Sequence, residues 1–342
     1  MGLNEKFFKS AADSPNFNIV TYTGTGNSTP KTVTGVGFQP DLVWGKSTSN
    51  NHPHIWFDSV RGENKQLSSN DTAAEVVRNS AAYEFESDGF KVTTAGNLNN
   101  NFQYVAWCWK AGGAASTNTN GSRNSEVSVN QDAGFSIVSY TGNATNSTIG
   151  HGLGILPKLI IYKNRNANTQ WDVYAASVGA DKRLQLSTTG AESTTSTPFN
   201  NTNPTTSVFS LGIDLHTNGN NNNIIAYCFA DVLGYQKIGS YVGGGSSSNP
   251  TVTCGFEPRF LMVKKATGTV SNSTGWTMVD NVRHPGTPTY VNGNVLYADA
   301  PIPAQDDDNL RGFIITSTGF SPNGNYIVTN NENDTYIFLA IA

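Results

Sequence analysis

The sequence predicts an all-β protein made of three tandem antiparallel β-sandwiches of jelly-roll type. Three observations carry that expectation. The 342-residue chain holds 34 glycines and is rich in Asn, Ser and Thr, which disfavour helix interiors and favour turns. Between the turns lie islands of Val, Ile, Tyr, Phe and Trp, the residues that suit strands. One ten-residue phrase occurs three times, as "GFQPDLVWGK" (37–46), "GILPKLIIYK" (154–163) and "GFEPRFLMVK" (255–264).

Each copy of the phrase reads as a buried strand entered through a proline, where the missing N–H lies outside the ladder. Upstream stands a strand ending in Tyr-x-Gly: "FNIVTYTG" (17–24), "FSIVSYTG" (135–142) and "QKIGSYVG" (236–243). Downstream come a tryptophan (Trp56, Trp171 or Trp276) and a strand pair ending in "SDGFKV", "SVFSLGI" or "STGFSP". Each set closes on an apolar run, "YVAWCWKA" (104–111), "IIAYCFAD" (224–231) or "YIFLAIA" (336–342). The prolines Pro40, Pro157 and Pro258 recur at domain length, too far apart for a solenoid coil or a propeller blade.

The expected layout is an N-terminal arm (1–16), sandwich one (17–112), a flexible Gly/Ser/Asn linker (113–134), sandwich two (135–232) and sandwich three (233–342). Each unit is expected to have its own core. Only "VLGY" (232–235) separates the second unit from the third, so those two are expected to dock closely.

Bulk properties exclude several functions. Charged residues make up 13% and the net charge is −4, which offers nucleic acid no basic surface. No stretch approaches the roughly 20 apolar residues that span a bilayer, so membrane insertion is not expected. Cys108, Cys228 and Cys254 sit in apolar runs and read as buried, unpaired thiols. His52 and His54 in "NHPH" read as an exposed loop, and His151 as part of a Gly-rich turn. Asp306, Asp307 and Asp308 lack the spacing of a calcium loop. No pair of carboxylates is placed for glycoside hydrolysis. The chain is therefore expected to be no enzyme and to carry no cofactor and no metal.

The ordered motifs resemble a module of unknown function found in tailed-phage and marine viral proteins. Its pattern runs Tyr-x-Gly, Gly-Phe-x-Pro, Lys, a Trp strand, Asp-[Ser/Thr]-x-Arg, [Asn/Asp]-Gly-Phe and a closing Tyr strand. The first unit matches at Gly37, Phe38, Pro40, Asp58, Arg61, Asp88, Gly89, Phe90 and Tyr104. The third matches at Gly255, Phe256, Pro258, Asp280, Arg283, Gly319, Phe320 and Tyr336. The second departs, reading "WDVYAASVG" (171–179) where Asp and Arg are expected.

The resemblance implies a virion protein on the particle exterior, either a tail fibre or spike contacting the host or a capsid decoration. Its implied partners are other virion proteins, a host glycan or protein receptor, and further copies of itself. Candidate ligand-binding residues are Trp56, Asp58, Arg61, Trp276, Asp280 and Arg283, with Trp107 and Trp109 weighed as a sugar platform. Phe7 and Phe8 in the short arm are the candidate virion anchor. A lectin or a polysaccharide-cleaving tailspike is the rival reading.

Overall fold

The apolar runs that bracket each sequence unit pair with one another. The computed structural model describes residues 16–26, 29–78, 82–93, 97–268, 275–283, 294–305, 312–324 and 326–342. In it, Phe17–Thr23 runs antiparallel to Gln103–Trp109, Phe135–Thr141 to Asn223–Ala230, and Gln236–Val242 to Thr335–Ile341. The phrase strand takes the other edge of the closing strand, as Leu42–Ser47, Pro157–Asn164 and Phe260–Lys265. Outside it pairs Ile55–Asp58, Asp172–Ala175 or Thr277–Asp280. The same antiparallel order thus occurs in three lobes, and Leu42, Leu159 and Phe260 occupy the same rung.

A smaller antiparallel sheet packs on each of these. It consists of Lys31–Val33, Gly89–Val92 and Tyr83–Glu86 in the first lobe, and of Ser147–Gly150 with Val208–Leu211 in the second. In the third it is Val252–Thr253, Gly319–Pro322 and Phe313–Thr316. Each lobe is therefore a β-sandwich with its own apolar filling. The Gly of the Gly-Phe motif serves this closure. At Gly89 and Gly319 an added Cβ would strike the backbone carbonyl of Val33 or Val252 on the facing strand. Only glycine lets those strands approach so closely.

The closing strands show why they read as unbroken apolar runs. Tyr104, Ala106 and Cys108 face the first lobe's own filling, while Val105, Trp107 and Trp109 face the other way. That second face is not solvent. It joins the corresponding faces of the other two lobes in one continuous cluster containing Trp44, Trp56, Trp107, Trp109, Trp171 and Trp276. Rings from different lobes touch there: Phe17–Phe260 at 5.7 Å, Trp109–Phe135 at 6.3 Å and Trp56–Trp171 at 5.2 Å between centroids. The lobes are not beads on a string; their largest core is common property.

Three expectations are corrected. Residues 113–134, expected as a flexible linker, contain the strands Ser116–Asn118 and Ser125–Asn130, which extend the second lobe's sheet beyond Phe135–Thr141. The composition of that stretch hid an alternation, "SEVSVN", whose Val127 packs into the lobe. Asp41 pins its start by accepting from the Ala111 and Gly113 N–H groups at 2.8 and 3.3 Å. Secondly, the tryptophans are not all equivalent. Trp44 pairs with Trp56, Ile161 with Val173 and Met262 with Met278, so Trp171 and Trp276 correspond to His54, two residues before Trp56. Thirdly, His54 is fully buried rather than in an exposed loop, and His151, in its Gly-rich turn, is buried as well. The expected close docking of lobes two and three holds: Gln236 donates from Nε2 to the carbonyls of Gly134 and Ala230 at 3.2 and 2.8 Å. The arm with Phe7 and Phe8 lies outside the described residues, as do Asp306, Asp307 and Asp308.

Candidate functional site

The Asp-x-x-Arg motif stands at the end of the fourth strand, and its backbone explains the spacing. Asp58 accepts from the Arg61 N–H at 2.8 Å through Oδ1, and Asp280 accepts from the Arg283 N–H at 3.0 Å in the same way. That turn brings each guanidinium back onto its own carboxylate, Arg61 Nε to Asp58 Oδ2 and Arg283 Nε to Asp280 Oδ2. None of the four side chains is more than 5% exposed. Trp56 and Trp276 are 1% exposed, and Trp107 and Trp109 are equally interior. The six candidate ligand-binding residues are therefore not a surface site, and no sugar could stack on these rings. They are buried because they line the seams where lobes meet.

Each motif carboxylate takes a further hydrogen bond from a neighbouring lobe. Tyr227 Oη of the second lobe donates to Asp58 Oδ2 at 2.8 Å, and Trp107 Nε1 of the first lobe donates to Asp280 Oδ2 at 3.1 Å. Trp107 and Tyr227 occupy the same rung of their sheets, opposite Trp44 and Ile161, and the third lobe has Leu339 there, opposite Met262. The residue matching Asp58 and Asp280 in the second lobe is Ala175, opposite Leu159. Donor and acceptor are thus absent together: where the carboxylate becomes alanine, its partner becomes leucine. This accounts for the second unit's departure from the motif.

The phrase's last residue acts at the same seams. Lys163 Nζ reaches from lobe two to the Thr72 carbonyl of lobe one at 2.9 Å, and Lys264 Nζ from lobe three to Thr189 of lobe two at 2.9 Å. Lys46 stays in its own lobe, donating to the carbonyls of Ser47 and Asn50 at 2.5 and 3.1 Å. Burial pushes Lys163 and Lys264 down to about 8, partly offset by nearby carboxylates. Burial, with the charge of Arg283, pushes Lys46 down to about 7.

A backbone bond closes each seam in turn. The N–H of Glu75 donates to Arg165 O at 2.9 Å, that of Glu192 to Ala266 O at 2.8 Å, and that of Ala304 to Thr48 O at 2.9 Å. Lobe one is bound to two, two to three, and three back to one. The indoles follow the cycle in reverse, Trp171 Nε1 donating to Ser68 O and Trp276 Nε1 to Gln185 O, both at 2.9 Å. His54 takes this place in the first lobe. Its Nδ1 accepts from Trp44 Nε1 at 2.8 Å, and its buried Nε2 has no hydrogen-bond partner among the described residues. Burial holds His54 well below the usual histidine range, and the charge of Lys46 lowers it further.

A second polar cluster lies in lobe two. Asp172, Asp214 and His216 bring ligand atoms within 4.8 Å of one another. Arg183 Nη1 already bridges Asp172 and Asp214 at 3.1 Å each, and His216 Nδ1 meets Asp172 Oδ1 at 3.0 Å. Burial alone would lower His216, but the hydrogen bond and charge of Asp172 raise it. An internal cation fills the role a metal would have. The thiols are unpaired and buried, with Cys228 and Cys254 pushed up to about 12 by burial, as expected of inert cysteines.

Sequence reasoning missed the asparagines Asn99, Asn218 and Asn330, which are fully buried and satisfy loop backbone at the lobe ends. Asn218, for example, donates to the carbonyls of Thr145 and Gly212 at 2.7 and 2.6 Å and accepts from the Asn143 N–H at 2.9 Å. In an Asn-rich chain nothing marked these three.

The chain matches one family model, described as Domain of unknown function (DUF7483), over residues 12–342. The chain belongs to that family. The DUF7483 match runs unbroken through all three lobes, in keeping with the common core. No curated protein and no solved structure matches the chain. Among the described residues no helix is long and apolar enough to cross a membrane.

Proposed function

We propose that the chain is a non-enzymatic structural protein of a tailed-phage particle, exposed on the exterior as a fibre or spike component that contacts the host. The resemblance of its ordered motifs to a module of such particles supports this reading. The observation that carries it is the use made of the reactive side chains. The Asp/Arg pairs, Lys163, Lys264 and the tryptophans are spent on binding three lobes into one body. A body so closed is a rigid carrier for exposed polar loops, which suits contact and display.

Capsid decoration is the second reading within the same class; other virion proteins and further copies of the chain remain its partners there. The lectin and polysaccharide-cleaving alternatives lose their named residues, since the tryptophans offered as a platform are interior. The test is to purify particles, detect the chain by mass spectrometry and find its density by electron microscopy. Density at the tail tip supports the fibre reading, and density on the head shell supports decoration. A chain absent from purified particles, or one that releases reducing sugar from host polysaccharide, overturns the proposal.

A further inference from the structure

The first and third seams are built alike except for one charge. At the first, Arg61 is fully engaged: Nε on Asp58, Nη1 on the Lys65 carbonyl at 3.1 Å and Glu75 Oε2 at 3.2 Å, and Nη2 on the Trp56 carbonyl at 3.0 Å. Glu75 also takes Arg165 from the next lobe, at 2.8 Å through both oxygens. Burial alone would raise Glu75, but the two arginines hold it below the usual carboxylate range.

The third seam keeps the frame. Arg283 Nε lies on Asp280 and Nη1 on the Asn294 carbonyl, the counterparts of Asp58 and Lys65. The bridge between Val295 and Gln305 repeats the pairing of Gln66 with Val76. The bond from the Ala304 N–H to Thr48 repeats that from Glu75 to Arg165. Ala304 therefore stands where Glu75 stands, without a carboxylate. Where Arg61 Nη1 holds both a carbonyl and Glu75, Arg283 Nη1 has the Asn294 carbonyl alone among the described residues. Its Nη2, whose counterpart on Arg61 donates to the Trp56 carbonyl, is buried with no partner among the described residues, and the side chain is only 5% exposed. The second seam needs no such acid on an arginine, because Val178 replaces the arginine and Glu192 pairs with Lys182.

A guanidinium so buried and short of a partner costs stability unless an anion completes it. We propose that the seam between the third and first lobes binds a carboxylate beside Arg283, in the place that Glu75 fills at the first seam. Among the described residues at the rim, Asn294 and Ser49 are exposed and Ala304 is half-buried. The planar fork of arginine favours a carboxylate, carried by a small free acid or by an acidic side chain of a neighbouring protein.

The experiment is thermal unfolding of the full chain in sodium acetate against sodium chloride at equal ionic strength. Saturating acetate raises the wild-type midpoint by roughly 2–4 °C. Ala304→Glu, which restores the missing carboxylate, raises the midpoint without acetate and abolishes the response. Arg283→Met abolishes the response without that gain; if it fails to fold, the Ala304→Glu comparison decides. A response to acetate assigns a free acid as the source, and a response only to a glutamyl peptide assigns a neighbour's side chain. No response to either, or an equal response in Ala304→Glu, overturns the proposal. So does a loss of stability in an Asp306→Asn, Asp307→Asn, Asp308→Asn variant of a chain that ignores acetate, because the carboxylate would then be internal.

Discussion

Replacing the polar seam between lobes one and two by the apolar seam between lobes two and three should cost no more than breaking the polar seam once. Asp58→Ala removes the carboxylate from a guanidinium that is 0% exposed, leaving Arg61 with Glu75 and two carbonyls. Breaking one side of a buried pair costs about 3–5 kcal/mol. Tyr227→Leu removes a hydrogen bond to a charged group, about 1.5–3 kcal/mol. It also removes a ring packed 4.9 Å from Trp56, a cavity term of about 1–3 kcal/mol. The triple variant Asp58→Ala, Arg61→Val, Tyr227→Leu copies Ala175, Val178 and Leu339. It leaves neither Asp58 nor Arg61 buried, and Glu75 keeps Arg165. Only the cavity and the altered packing remain, about 3–5 kcal/mol in all. Denaturant midpoints and slopes for the two single variants and the triple provide the assay. Losses that add within about 0.5 kcal/mol, so that the triple is far worse than Asp58→Ala, would refute the latch, since contacting residues must couple.

Two further outcomes follow from the same geometry. Gly89→Ala and Gly319→Ala drive a Cβ into the Val33 or Val252 carbonyl and should each cost about 2–4 kcal/mol. Gly190→Ala, whose Cβ would sit 3.5 Å from Thr188 Oγ1, should change stability by less than about 0.5 kcal/mol. With pH, Lys46 at about 7 and Lys163 and Lys264 at about 8 bind fewer protons folded than unfolded, so stability rises with pH from about 7 towards 9. The slope contributed by each is at most about 1.4 kcal/mol per pH unit. His216, raised in the fold, acts in the opposite sense above its unfolded value, but it is one group against three. Above about 9 the buried thiols offset much of this rise, because the unfolded chain releases protons that the fold retains. Denaturation midpoints between pH 6 and 9 that fall steadily would contradict the lysine assignment.

The strands and their order were legible because each phrase, Tyr-x-Gly and closing run carries its own apolar signal. What the outer face of each closing run packs against was not legible. Trp107 and Trp109 meet residues more than a hundred positions away, Phe260 and Phe229, and an apolar run reads alike whether its second face meets one sheet or two. The Asp58 and Arg61 motif was visible as a pair, but its third member, Tyr227, belongs to another lobe. Only the register reveals that Ala175 and Leu339 are the same joint without charge. Trp56 was grouped with Trp171 and Trp276 by order alone, and the offset of two residues appears only in the ladder. The hairpin at 116–130 was obscured by Gly, Ser and Asn, whose turn preference outweighed a short alternation.

The central claim is that three sandwiches share one core and form one body. Scanning calorimetry of the full chain measures this directly through the ratio of calorimetric to van't Hoff enthalpy. A single transition with a ratio near one is predicted, because no lobe can leave without exposing the core of the other two. Separate transitions, or one broad transition with a ratio near three, would show three independent units and contradict the account.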